Sequence, residues 1–143
     1  MKTKYRYILA FVILALLAAV LVWKYTFRKS DISVASQKAD VEIAASKLLQ
    51  AFETDENAAN ALYLDKIVLV SGIVESISED SLGVSVYLKE SDAVGGVICS
   101  FDKSAIDVSM AKKGLPLSIK GICTGYLMDV VLNKCSLESG VKN

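Results

Sequence analysis

The segment Tyr63–Ile77, YLDKIVLVSGIVESI, is a long β-branched run with one glycine, Gly72, near its centre. Valine and isoleucine are stiff at χ1 and pack well on a pleated surface, so the run reads as a strand. A glycine inside a strand weakens it unless the backbone bends there or another backbone comes close. Such a strand suits a small barrel, in which one long bent strand takes part in both halves of the sheet.

The chain downstream repeats the strand signal four more times. Glu79-Asp80-Ser81 is a polar tip, and Leu82, Val84, Val86 and Leu88 then alternate with Gly83, Ser85, Tyr87 and Lys89. That period of two places the first set in a core and the second in water. Glu90-Ser91-Asp92 makes the next turn, and a third strand near Gly95–Phe101 puts Val97, Cys99 and Phe101 on one side, with Ile98 and Ser100 on the other. The acids in these turns read as solvated turn residues. Residues 102–113 predict a short helix or helical turn, closed by Gly114, after which Pro116 bars continuation and starts a fourth strand. Leu117, Ile119, Gly121 and Cys123 share one face of it; Gly125 and Asp129 flank the last hairpin turn, and a fifth strand covers Val130–Leu137. Alternation blurs at Asn133-Lys134, where a bulge is expected. Val70-Ser71-Gly72-Ile73 and Ile119-Lys120-Gly121-Ile122 both set a glycine in a β-branched run, as the first and fourth strands would need where they pair and bend. Three strands, a short helix and two more strands is the order of an OB-fold. The expected class is therefore all-β with short helices, a five-stranded Greek-key barrel, with Gly72 and Gly121 as structural glycines.

Ahead of the barrel, Val41, Ala44, Ala45, Leu48 and Phe52 recur at helical spacing and predict an amphipathic helix over 36–53 that packs on the barrel. Thr54 is the expected N-cap of a second short helix, because Asp55 and Glu56 then fall in its first turn, with Ala58, Ala59 and Leu62 on its buried side.

The N-terminus has a different character. Tyr7–Trp23 is seventeen residues without a charge, reaching roughly 25 Å as a helix. Tyr5 and Tyr7 at one end, and Trp23, Tyr25 and Phe27 at the other, are the expected interfacial anchors of a transmembrane helix. A cleaved signal peptide is the competing reading, but the apolar run continues past Ala15, Ala18 and Ala19 to Trp23. The domain organisation read from this is a tail and anchor over 1–30, a polar linker over 31–37 and the barrel domain over 38–143. Three basic side chains lie on each side of the span, so the charge rule is nearly tied. The short N-terminal tail favours N-in, which makes the chain a single-pass protein of a bacterial inner membrane with a periplasmic domain.

Charge and composition exclude several functions. Residues 31–143 carry ten lysines against sixteen acids, a net charge of −6, and no arginine follows Arg28. That is the opposite of a phosphate-backbone footprint, so nucleic acid is an unfavoured partner. The chain has no histidine, which removes the usual general base and the commonest metal ligand. No paired-carboxylate, phosphate-loop or serine-triad pattern is present, and no catalytic residue, metal or cofactor is expected.

YLDKIVLVSGIVESI, GGVICSF and LSIKGICTGYLMDVVLNKCSL, with the preceding KLLQAFETDENAANALYL, resemble the tRNA-anti-like OB-fold family of bacterial proteins. The likeness covers about residues 45–138, and its more specific part is the KG-x-C-x-G turn followed by DVVL-x-x-C. The resemblance implies an OB-fold on an exported or lipid-anchored protein, with no established catalytic residues to carry over. The first cysteine is Cys99, so no lipobox is present and the apolar helix must serve as anchor.

Two sets of residues then carry the functional expectation. OB-folds generally bind across the outer surface of the second and third strands, which here holds Ser85, Tyr87, Lys89, Ile98 and Ser100, with Tyr126 in the last hairpin loop. One lysine and few rings are thin provision for strand binding, and an ordinary solvated face is the plain alternative. Cys99, Cys123 and Cys135 have no C-x-x-C spacing, so a zinc site is disfavoured. Each reads either as a small buried hydrophobe or as half of a disulfide. Among the pairings Cys99–Cys135 is preferred, because the third and fifth strands are parallel neighbours in this fold and both residues lie toward the same end. The expected function is a membrane-anchored envelope module that binds a protein, peptide or glycan without catalysis; the alternative is a nucleic-acid-binding OB-fold protein.

Overall fold

A computed structural model of the chain describes residues 2–26 and 33–138. Phe27, residues 31–32 of the expected linker, residues 139–143 and the side chain of Tyr25 lie outside the described residues. The chain divides into two units, Met1–Ile32 and Ser33–Asn143. The first is α1, Lys2–Thr26, whose stretch Lys4–Lys24 is long and apolar enough to cross a membrane by length and composition. Its described leucine and valine side chains, with Tyr5, Tyr7, Phe11 and Trp23, are exposed.

The second unit opens with a correction to the expected helix over 36–53. Val41–Ala44 is a strand, β1, parallel to the long strand β2 (Ile67–Glu79), with Val41 opposite Val68 and Ala44 opposite Ser71. Val41 and Ile43 alternate with Glu42 and Ala44, so the same letters satisfy a period of two as well as a helical stripe. Asp40 decides between them. Its backbone N–H donates to the Ile67 carbonyl at 2.8 Å and its carboxylate accepts from the Ile67 N–H at 2.9 Å, which pins the segment to the sheet. The helix α2 covers only Ala45–Thr54, and Leu48, Leu49 and Phe52 are buried in the core. Burying side chains of this size stabilises by about 1.5–3 kcal/mol each.

Thr54 is not the cap of the next helix, α3 (Glu56–Tyr63). Its hydroxyl donates back to the Gln50 carbonyl at 2.7 Å, and Asp55 instead accepts from the Ala58 N–H at 3.0 Å. Asp55 is extended, which frees its carboxylate to cap the turn that follows. Of the three expected buried residues only Ala59 is buried; Ala58 is exposed and Leu62 is 55% exposed.

The remaining strands are β3 (Gly83–Leu88), β4 (Val97–Asp102), β5 (Pro116–Leu127) and β6 (Asp129–Leu137). They run in the order β1-β2-β3-β4-β6-β5, closed by a β2–β5 pairing, which is the expected five-stranded barrel with β1 added. β2 serves both halves. Ile67–Ile73 pairs antiparallel with β5, Val74–Glu79 pairs with β3, and the register shifts between Val74 and Ser76. At Gly72 a Cβ would stand 3.0 Å from the Ala45 Cβ and 3.3 Å from that of Leu88, so the missing side chain lets α2 and β3 close on the bend.

Leu82, expected in the core, is 87% exposed. β3 starts one residue later, and the Asp80 carboxylate holds the N–H groups of Leu82 and Gly83 at 2.7 and 2.9 Å, turning Leu82 out at the hairpin tip. The helix predicted over 102–113 is two 3₁₀ turns, Lys103–Ala105 and Val108–Met110, between which Ile106 is buried. Gly114 adopts φ +84° and Pro116 opens β5, as expected. The bulge expected near Asn133-Lys134 is present: one residue, Gly121, on β5 opposes two on β6, and Lys134 has φ 52°.

Part of the expected polar linker is docked on the barrel. Residues 34–36 form a 3₁₀ turn, Val34 is 2% exposed, and the amine of Lys120, itself 5% exposed, donates to the carbonyls of Ala35 at 3.3 Å and Gln37 at 2.8 Å. The Glu138 carboxylate lies 3.1 Å from the same amine. A buried ammonium is tolerated because its protons meet oxygen atoms.

Candidate ligand face

Period two on β3 and β4 sorts their side chains cleanly. Val84, Val86, Leu88, Val97, Cys99 and Phe101 are buried, and the outer positions include the cross-strand pairs Ser85 opposite Ser100 and Tyr87 opposite Ile98, with Gly83 opposite Asp102 at the end of the ladder. Ser85, Ser100, Tyr87 and Ile98 are half-buried. β2 extends the face with Ser76 opposite Tyr87 and Ser78 opposite Ser85, and β6 extends it with Val131 opposite Ile98. Lys89 follows the end of β3, where its backbone N–H donates to the Ile73 carbonyl at 3.1 Å. Four of the six residues expected on the ligand face, Ser85, Tyr87, Ile98 and Ser100, therefore come together there, and Lys89 follows at the end of the strand.

Tyr126 does not. It lies on β5 opposite the buried Val130, and its ring stacks on Phe52 with centroids 5.6 Å apart. The cause is a second bulge: Thr124 is the extra residue between the pairs Cys123–Leu132 and Gly125–Val131. One inserted residue shifts the alternation, so Tyr126 turns inward where an unbulged strand would turn it out. It lines an apolar cleft of about 470 Å³ between α3 and the β5–β6 hairpin, with Asn60, Leu64 and Leu127 among its neighbours.

Tyr87 is held in place by a residue that sequence reasoning noted only as the flank of a turn. Its hydroxyl donates to Asp129 Oδ1 at 2.8 Å, and the same oxygen accepts from the Gly96 N–H at 2.8 Å. A Cβ on Gly96 would stand 2.8 to 3.0 Å from the Tyr87 ring, so the ring lies against bare backbone. Burial, the hydrogen bond to Asp129 and the nearby charges of Asp129 and Glu75 push the phenol pKa up to about 12. No local pattern marks Asp129, because its partners come from β3 and the β3–β4 loop.

Beyond Cys99–Leu132, the last pair of the parallel β4–β6 ladder, the two strands line an open cleft of about 370 Å³ with the β2–β3 hairpin. Ser85, Ser100 and Asn133 offer it neutral polar groups, while Asp80, Asp102 and Lys134 offer charges of both signs. Asp80 is held below the usual carboxylate range by the N–H groups of Leu82 and Gly83. The cleft is thus hydroxyl-rich and mixed in charge, suited to hydrogen-bonding a neutral or weakly charged ligand. Among the described residues no group of three or more His, Cys, Asp or Glu side chains is placed to hold a metal ion.

The three cysteines are buried thiols in the described structure. Burial pushes the Cys123 thiol up, opposed by the Gly125 N–H and reinforced by Asp65. The Cys99 thiol is raised well above its ordinary value by a hydrogen bond to Cys135 and by burial.

The sequence model of the tRNA_anti-like family matches residues 1–137, nearly the whole chain. The chain belongs to this family. Among solved structures it is similar to a "putative nucleic acid-binding lipoprotein" from Klebsiella pneumoniae subsp. pneumoniae MGH 78578, with 20% identity and a TM-score of 0.58. The match covers 78% of this chain and 100% of that one, and at this identity it speaks for the fold alone. No curated protein matches. The family assignment and the likeness agree with the closed barrel.

Proposed function

We propose that this protein is a membrane-anchored OB-fold binding module whose β3–β4 face engages a protein, peptide or glycan partner, without catalysis. The observation that carries this reading is the face itself: four serines, Ile98, Val131 and one tethered tyrosine, on a domain of net charge −6 without arginine. Hydroxyl groups and a half-buried apolar row suit hydrogen bonding and shape recognition of an uncharged surface. The α1 helix supplies the anchor, as a single span of a bacterial inner membrane with the barrel on the periplasmic side.

The second reading, binding of single-stranded nucleic acid, is favoured by the description of the Klebsiella lipoprotein. It requires a basic groove with several stacking rings, whereas the face holds one ring, Tyr87, and Lys134 in the adjoining cleft stands among Asp80 and Asp102. Fluorescence anisotropy of the full-length protein in detergent micelles, with single-stranded DNA and RNA at low salt, separates the two. No binding at micromolar protein is expected. Binding that weakens steeply with added salt would establish the second reading. Reporter fusions after Asn143 test the orientation, and activity only outside the cytoplasm is expected.

A further inference from the structure

Leu132 of β6 sits between two cysteines in the sheet, opposite Cys99 on β4 and opposite Cys123 on β5. Cys99 and Cys123 are therefore two strand spacings apart, about 10 Å, beyond the roughly 7 Å between α-carbons that a disulfide spans. Cys135 lies three residues further along β6, where regular strand geometry would carry it away from both. The bulge brings it back. With Lys134 at φ 52°, the Cys135 Sγ turns inward to 3.4 Å from the Leu132 carbonyl oxygen. It occupies space left by Gly121, whose Cβ would come within 2.6 Å of it. There the Cys135 thiol lies beside Leu132, which stands opposite Cys99, and is close enough to raise the Cys99 thiol, with both sulfurs buried in the core. The groups that act on Cys123 are instead the Gly125 N–H and Asp65.

We propose that Cys99 and Cys135 form an intramolecular disulfide across the β4–β6 seam, and that Cys123 stays a thiol. The bond joins the strands beside Cys99–Leu132, where their ladder ends, and closes a loop that contains β5 and two thirds of β6. Burial of both sulfurs keeps the folded dithiol slow to react, so the bond is a staple made during folding, not a switch thrown in the folded protein. The oxidant is a disulfide of the surrounding compartment. One cysteine thiolate attacks it and forms a mixed disulfide; the second displaces the remaining thiol, so two protein thiols and one external disulfide become one protein disulfide and two external thiols. This inference does not rest on the identity of the ligand.

The test uses the full-length chain in detergent micelles. It is reduced, unfolded, refolded with reduced and oxidised glutathione, quenched with an alkylating reagent and digested with trypsin. Lys103, Lys120 and Lys134 place the three cysteines on separate peptides. The expected map joins the Cys99 peptide to the Cys135 peptide and shows Cys123 alkylated. The oxidised domain should also melt higher than the reduced one by on the order of 10 °C. Cys123→Ser should keep the link and Cys135→Ser should lose it. Alkylation of all three cysteines in the refolded wild-type chain, or a link that includes Cys123, overturns the proposal. The wild-type map decides the matter even if Cys135→Ser does not fold.

Discussion

The barrel is closed along two seams that differ in almost every respect. The β2–β5 seam runs without interruption from Ile67 opposite Ile122 to Ile73 opposite Pro116. Lys120, on the β5 strand of this seam, clamps down the segment at Val34 where it packs against β5 and β6, with Glu138 on the same amine. The β4–β6 seam holds three parallel pairs and then gives way to a cleft, with two thiols beneath it. Long antiparallel pairing and a saturated buried amine make one side continuous. A bulge at Lys134 opens the other, beside the face that carries the accessible hydroxyls. The cleft beside the proposed ligand face lies where sheet closure stops.

Breaking the closed seam should have the largest effect. Lys120→Ala removes the donor that satisfies two backbone carbonyls and leaves Val34 poorly held. The expected loss is about 2–3 kcal/mol, counted from the unsatisfied carbonyls, with Glu138 contributing little because it is partly solvated. Thermal unfolding should show a drop of roughly 10 °C or more. A drop within error would mean that water replaces the clamp and that the two seams are equivalent in strength.

Gly121→Ala strikes the point where the seams meet, since its Cβ would press on the Cys135 Sγ at 2.6 Å and the Leu132 Cβ at 3.1 Å. Overpacking of this kind costs about 1–3 kcal/mol. Urea unfolding would measure it, and an unchanged midpoint would show that the bulge has room to move.

A smaller effect, about 1 kcal/mol, is expected for Tyr87→Phe, which removes one hydrogen bond while Gly96 still serves Asp129. The pH dependence sharpens this. Because the Tyr87 pKa is raised to about 12, its contribution is whole below the ordinary value near 10 and is lost as pH rises through 12. An ultraviolet titration should show a late ionisation step that Tyr87→Phe removes, and Asp129→Asn should move that step down. A titration with every tyrosine near 10 would contradict the tether.

The smallest stability effect, within about 0.5 kcal/mol, is expected for Ser85→Ala and Ser100→Ala on the open side. If the face binds as proposed, these two changes should weaken partner capture by the intact protein in membranes while the melting temperature stays put. Unchanged capture would move the binding site elsewhere.

Much of this was legible in the chain itself. The apolar run at Tyr7–Trp23, the alternation of Val84, Val86 and Leu88 against Ser85 and Tyr87, and the punctuation by Gly114 and Pro116 are local signals. A local period decides which way a side chain points once the element exists. The order of elements then narrows the barrel type, and the pairing of the Gly72 and Gly121 strands follows from closure. The outer surface of β3 and β4 was readable for the same reason, since both strands keep their alternation from end to end.

What the tertiary structure alone decided lies where a residue's partner is far away in sequence or where one residue breaks the period. Val41–Ala44 is strand because Asp40 meets Ile67. Tyr126 faces the core because Thr124 is inserted opposite a partner that has no counterpart for it. Asp129 anchors Tyr87, and Lys120 is buried only because residues 34–37 and Glu138 come to it. Hydrophobic periodicity is written residue by residue, whereas the satisfaction of a buried polar group and the register of a bulge exist only between segments that folding has brought together.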